Sequence, residues 1–233
     1  MDRIKLKDLS LYKIAAISTI AMLIIIPLQI IVFALNPMPS STDLWFKLFT
    51  EKPLIAFFHA DFFIMVNNII IVVIYLAFYH SLKDTNKKLL QLAIVLGLIG
   101  IAAYISSNKT FELLSLSKSY SLETDPINKQ ILISAGKATL LGWQGTAFDV
   151  YYVLNGISLV SVTLLMFKSQ VYDKLTATIG LIAGFFMVIP STAGTIGLIF
   201  SLLSLIPWYI FSVRFCIIFF KISKGRIIIK EIN

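Results

Sequence analysis

The chain has 233 residues, 58% of them hydrophobic and only 14% charged, with a mean hydropathy of +0.89. A typical soluble domain is about 45–50% apolar and about 25% charged, so an ordinary cytosolic enzyme and a disordered chain both fit poorly. The net charge of +8 comes from 20 Lys and Arg against 12 Asp and Glu. These basic residues sit at the ends of apolar runs, where membrane topology accounts for them without nucleic acid as a partner.

A spanning helix needs about 20 mostly apolar residues. The first fits Ile14–Leu35, preceded by Arg3, Lys5, Lys7 and Lys13. Its apolar stretch is too long for a signal peptide and no small-x-small site follows, so it reads as an uncleaved span. The next two spans are expected at Leu54–Phe78 and Leu89–Ile105. The run from Ala138 to Phe167 carries one charge, Asp149, and is too long for one untilted helix. Part of it is expected at the interface, with the fourth span over Thr146–Phe167. The fifth covers Leu175–Ile189, and the turn from Pro190 to Gly194 leads into the sixth, Ile196–Ile218. The expected fold is all-α: one polytopic bundle of about six transmembrane helices over residues 1–233.

Lys and Arg counted in alternate loops total fourteen on the side of the termini and six on the other. The positive-inside rule then makes both termini cytoplasmic, in a cell membrane whose bilayer is the first partner. Two outer loops look amphipathic. In Ser41–Thr50, Leu44, Trp45, Leu48 and Phe49 share one helical face, which predicts a short interfacial helix. Ser107–Lys137 predicts a pair of short helices capping the outer side. A three-plus-three inverted repeat is topologically allowed, but the halves show no convincing likeness.

Only two acids fall within the spans, Asp61 and Asp149. A charge near the bilayer centre costs about 2.5–3.5 kcal/mol or more, so such residues face the bundle interior or a wet cavity. Asp61 lies about 10 Å in from the outer end of its span. Asp149 is at similar depth, or at the surface, depending on where the fourth span enters. Asn68 follows Asp61 by seven residues on nearly the same face, and Tyr152 follows Asp149 by three. Asn155 stands on the adjacent stripe, and His59 at the outer edge. One reading is an outer-half ligand site of Asp61, Asn68, Asp149, Tyr152, His59 and Asn155. The other, weighted somewhat more, is interhelical hydrogen bonding that fixes packing, at about 0.6 kcal/mol per bond.

Other chemistries find little support. Catalytic zinc takes about three protein ligands, and the only histidines are His59 and His80, near opposite ends of one helix. No GxSxG, Walker or dinucleotide pattern is present, so no cofactor is implied. The lone Cys216 reads as a small apolar residue. Gly180 and Gly184 form a GxxxG, expected to pack against the small-residue stripe of Gly197, Ser201 and Ser204 across the tight turn. Pro27 and Pro207 interrupt the first and sixth spans, with Gln29 a polar companion to the first.

The run from Gly145 to Leu154, the hairpin Ile189–Gly197 and the segment Ser201–Trp208 resemble a group of small prokaryotic multi-pass proteins. Phe111–Leu114 and His59–Asn68 fit the same resemblance. That group is described only as an integral membrane domain of unknown function. The resemblance implies a six-helix bacterial or archaeal membrane protein and supplies no catalytic residue. The expected role is binding or moving a small or lipidic ligand through the outer polar pocket. The alternatives are a membrane-embedded enzyme using Asp61 and Asp149, and a structural or accessory subunit.

Overall fold

The computed structural model describes residues 6–227 and Ile229. Arg3, Lys5 and Lys230, counted above toward topology, lie outside them. Ten helices form among the described residues: α1 (Leu6–Leu35), α2 (Thr42–Glu51), α3 (Pro53–His59), α4 (Phe62–Leu82), α5 (Lys87–Ser107), α6 (Thr110–Leu122), α7 (Pro126–Trp143), α8 (Thr146–Met166), α9 (Lys174–Met187) and α10 (Gly194–Ser223). Local chemistry sets several starts. Pro53 and Pro126 occupy first helical positions, where a missing N–H costs nothing. Asn86, Asp125 and Asp173 cap α5, α7 and α9 by accepting from the N–H groups of Leu89, Ile127 and Thr176.

Six of these helices form a bundle. α1 packs on α4, α4 on α5, α5 on α8, α8 on α9, α9 on α10, and α10 returns to α1. Among the described residues, five stretches are long and apolar enough to cross a membrane: Leu9–Leu35, Phe62–Leu82, Lys87–Leu122, Pro126–Met166 and Gly194–Ser223. The sixth expected span is the 14-residue α9. At 1.5 Å per residue it is about 21 Å long, short of the roughly 30 Å hydrocarbon layer. Outward faces carry Ile14, Ile24, Leu92, Val95, Ile199 and Leu202, all exposed, as suits helices solvated by lipid. The start of α1 and the end of α10 lie together, with Tyr12 and Phe219 ring centroids 5.7 Å apart.

The other four helices make a cap at the opposite end. α2 packs on α3, α6 and α7, around a core of Trp45, Phe46, Phe49, Leu113 and Trp143. The interfacial helix expected at 41–50 is therefore present, but turned: Phe46 is buried and Leu44 is exposed. The cap's own core recruits that face, which a lipid surface would not.

Two further expectations change. The second span does not run unbroken from Leu54. It divides at Ala60–Asp61, where Asp61 adopts φ 57° and ψ 23°. That left-handed backbone cannot continue a right-handed helix, and Asp tolerates it because its short polar side chain can bond locally. Gly184, expected to meet α10, instead packs on α8. A Cβ there would stand 3.0 Å from the Val160 nitrogen, and one on Gly156 would stand 2.8 Å from that of Val188. The two glycines let the α8 and α9 backbones approach face to face.

Candidate ligand-binding cavity

Between the cap and the middle of the bundle lies a cavity of about 280 Å³, walled by residues of all six bundle helices. Small-molecule pockets span roughly 300–1,000 Å³, so this one sits at the small end of that range. Its wall is mostly apolar, and among the described residues Asp61 is the only charged one in it. Toward the chain termini it ends on Phe78 and Trp208. Phe211 and Phe215 back them, with ring centroids 5.2 to 6.5 Å from theirs. The space is blind at that end.

Asp61 owes its position to the break between α3 and α4. Its carboxylate accepts from Gln29 Nε2 at 3.0 Å, and the same amide donates to the Phe58 carbonyl at 2.8 Å. The Trp143 indole and the Tyr104 hydroxyl, both donors, stand close to it as well. Helices α1, α5 and α7 thus converge on one carboxylate, each with a donor. A carboxylate offers about four acceptor sites, so three donors leave capacity for a ligand. The remaining polar groups of Gln29 and Asn67 have the same character. Gln29 Oε1 and Asn67 Oδ1 are buried without partners, and both residues line the cavity. An orphaned buried acceptor costs about 1–3 kcal/mol unless something bonds it.

The residues singled out in the sequence divide into three groups. Asp61, Tyr152 and Asn155 line the cavity. Asn68 lies just behind it, fully buried, accepting from the Tyr151 hydroxyl at 3.0 Å. Asp149 and His59 stand elsewhere. Asp149, half-buried in the first turn of α8, accepts from the Thr192 hydroxyl in the α9–α10 turn. His59 stacks on Phe33 at 5.0 Å and sits edge-on to Trp45. Tyr152 bonds Ser201 of α10 at 3.1 Å, while Asn155 accepts from the Tyr75 hydroxyl of α4 at 2.8 Å and donates to the Tyr151 carbonyl of its own helix at 3.2 Å.

Four further residues of the site are not marked as such by the sequence. Gln29 stands out there only beside Pro27, while Asn67, Tyr104 and Trp143 carry no distinguishing signal. A lone Tyr or Trp near a helix end usually marks the interface, and only the closed bundle brings these to Asp61.

Five long apolar stretches, lipid-facing aliphatic surfaces and a capped interior cavity define a polytopic helical membrane protein. More particularly, the chain belongs to the family described as domain of unknown function DUF4386, which matches residues 53–220. No curated protein and no solved structure showed a match to this chain.

Proposed function

We propose that this protein sits in the cytoplasmic membrane with both termini in the cytoplasm and binds a small or lipidic ligand in its cap-side cavity. The charge asymmetry of the loops supports the orientation, since fourteen of the 20 Lys and Arg fall on the side of the termini. The cap then faces outward and the cavity occupies the outer half of the bilayer. One observation carries the ligand reading: Asp61 lines a mostly apolar cavity whose wall also holds Gln29 and Asn67, each with a buried, unpartnered oxygen. Intramembrane carboxylates are expensive, and most buried acceptors in folded proteins have a partner. The blind end at Phe78 and Trp208 favours holding a ligand; moving one onward requires those rings to part. An enzyme pairing Asp61 with Asp149 gains no support, because Asp149 bonds Thr192 outside the cavity wall.

The test is native mass spectrometry of the protein purified in mild detergent, parent beside Asp61→Asn. A co-purifying lipid or small molecule on the parent, lost from the variant, is the expected result. The same adduct on both would remove Asp61 from the site.

A further inference from the structure

We infer that the cavity takes a single-chain amphiphile with a protonated amine head, ammonium at Asp61 and tail leaving sideways between α1 and α10. The inference deepens the ligand reading above and rests on it.

The head-group chemistry follows from what the cavity offers. Asp61 is an acceptor, the wall residues Gln29 and Asn67 each hold a buried, unbonded oxygen, and among the described residues no Lys or Arg lines the wall to neutralise the carboxylate. A complementary ligand is therefore rich in donors and positively charged, and a primary ammonium supplies three N–H groups. Aromatic rings reinforce the choice. Tyr104, Phe148, Tyr151 and Tyr152 all line the cavity, with neighbouring centroids 4.7 to 5.8 Å apart. Aromatic faces around an acid are the chemistry by which proteins hold ammonium groups.

The sideways exit follows from where the ties between α1 and α10 lie and from which wall residues are exposed. The ties lie toward the termini: Tyr12 with Phe219, Cys216 with the Ala16 carbonyl, and Tyr209 with the Leu23 carbonyl. On the cap side of Tyr209, both helices turn cavity-lining residues that are also exposed to the bilayer. Ile30 is 51% exposed and Leu202 57%, yet both line the wall. A residue that touches both the cavity and the lipid marks an open flank. Pro27 and Pro207 interrupt the two helices beside it.

The experiment uses the full chain in detergent, titrated with decylamine, decanol or decyltrimethylammonium and read by native mass spectrometry. Decylamine should bind one per chain and at least about tenfold more tightly than decanol, the size of one charged hydrogen-bonded partner. Decyltrimethylammonium, charged but without donors, should fall between them. Asp61→Asn should bring decylamine to the level of decanol; Asn keeps the left-handed backbone accessible. Leu202→Trp, a change on the exposed flank, should weaken decylamine retention while leaving thermal unfolding unchanged. Equal retention of decylamine and decanol by the parent would overturn the cationic head while leaving the cavity reading intact. Decylamine binding untouched by Leu202→Trp would overturn the lateral exit. Retention of none of the three probes, with no co-purified adduct, would overturn both this inference and the ligand reading.

Discussion

The Tyr209 hydroxyl donates to the Leu23 carbonyl at 3.1 Å, and Leu23 is the residue four positions before Pro27. In an unbroken helix that carbonyl would accept from the N–H of residue 27, which proline lacks. Helix α10 therefore repairs a hydrogen bond that α1 cannot make, and the repair ties the two helices together. Tyr209→Phe should lower stability by about 1–2 kcal/mol, the usual cost of an orphaned buried acceptor. In a Pro27→Ala background the restored backbone N–H at that position satisfies Leu23, so the same substitution should cost almost nothing. A double-mutant cycle on thermal unfolding in detergent reads the coupling. Additive effects would mean that Tyr209 does not answer for Pro27.

The backbone of Asp61 gives a second prediction, independent of any ligand. A φ of 57° costs an ordinary L-residue roughly 1–2 kcal/mol, and glycine nothing. Asp61→Gly should consequently be more stable than Asp61→Ala by about 1 kcal/mol, although both lose the bond from Gln29. Inside a regular helix the order would be reversed. Asp61→Asn should stay near the parent, since Asn keeps an acceptor for the Gln29 amide. If Ala proved equal to or better than Gly in thermal unfolding, α3 and α4 would have to be one continuous helix.

At the other end of the bundle, Asp173 caps α9 and meets Arg214 of α10 at 2.8 Å. Its partial burial raises its pKa, yet the N–H and hydroxyl of Thr176 and the Arg214 guanidinium outweigh that and hold it below the ordinary value of 3.8. A carboxylate whose folded pKa is depressed stabilises the fold above its unfolded value and loses that contribution as pH falls through its folded one. The stability difference between parent and Asp173→Asn should therefore be constant above about pH 5 and shrink below 3.8. Because the side chain is 52% exposed, solvent screening limits the ion-pair part to about 0.5 kcal/mol. Unfolding midpoints from pH 7 down to pH 3 test it; a difference that grew on acidification would reverse the sign.

The spans were legible because long uninterrupted apolar runs admit few structures in a bilayer, and α1, α5, α8 and α10 overlap the expected ranges. The break at Asp61 was not, for neither Gly nor Pro announces it. The Asp61 carboxylate accepts from Gln29 and stands near Tyr104 and Trp143, residues far away in the chain. The seven-residue spacing to Asn68 assumed one continuous helix, so the break moves Asn67 to the cavity and Asn68 behind it. Depth alone groups Asp149 with Asp61; its partner Thr192 comes from a turn whose path the sequence does not specify. Local periodicity gives each helix's character. Which polar groups share a cavity depends on how the bundle closes.

Closure depends in turn on the α8–α9 contact, where main-chain atoms come as close, to within a tenth of an ångström, as the valine side chains do. A Cβ added at Gly184 would meet the Val160 nitrogen at 3.0 Å, and one added at Gly156 the Val188 nitrogen at 2.8 Å. A flexible side chain could turn aside, but neighbouring main chain cannot, so the helices must separate. Gly156→Ala or Gly184→Ala should each cost about 1–3 kcal/mol, the range for overpacking a well-filled interface. The control is Gly142, exposed near the end of α7, whose Cβ would meet nothing within 4 Å. Gly142→Ala should be neutral or stabilising by up to about 1 kcal/mol from helix propensity alone. Because α8 and α9 both wall the cavity, Gly184→Ala should also weaken whatever the cavity holds, in proportion to the separation. Thermal unfolding of the three variants separates the cases, and equal behaviour of Gly142 and Gly184 would show that α8 and α9 do not pack this closely.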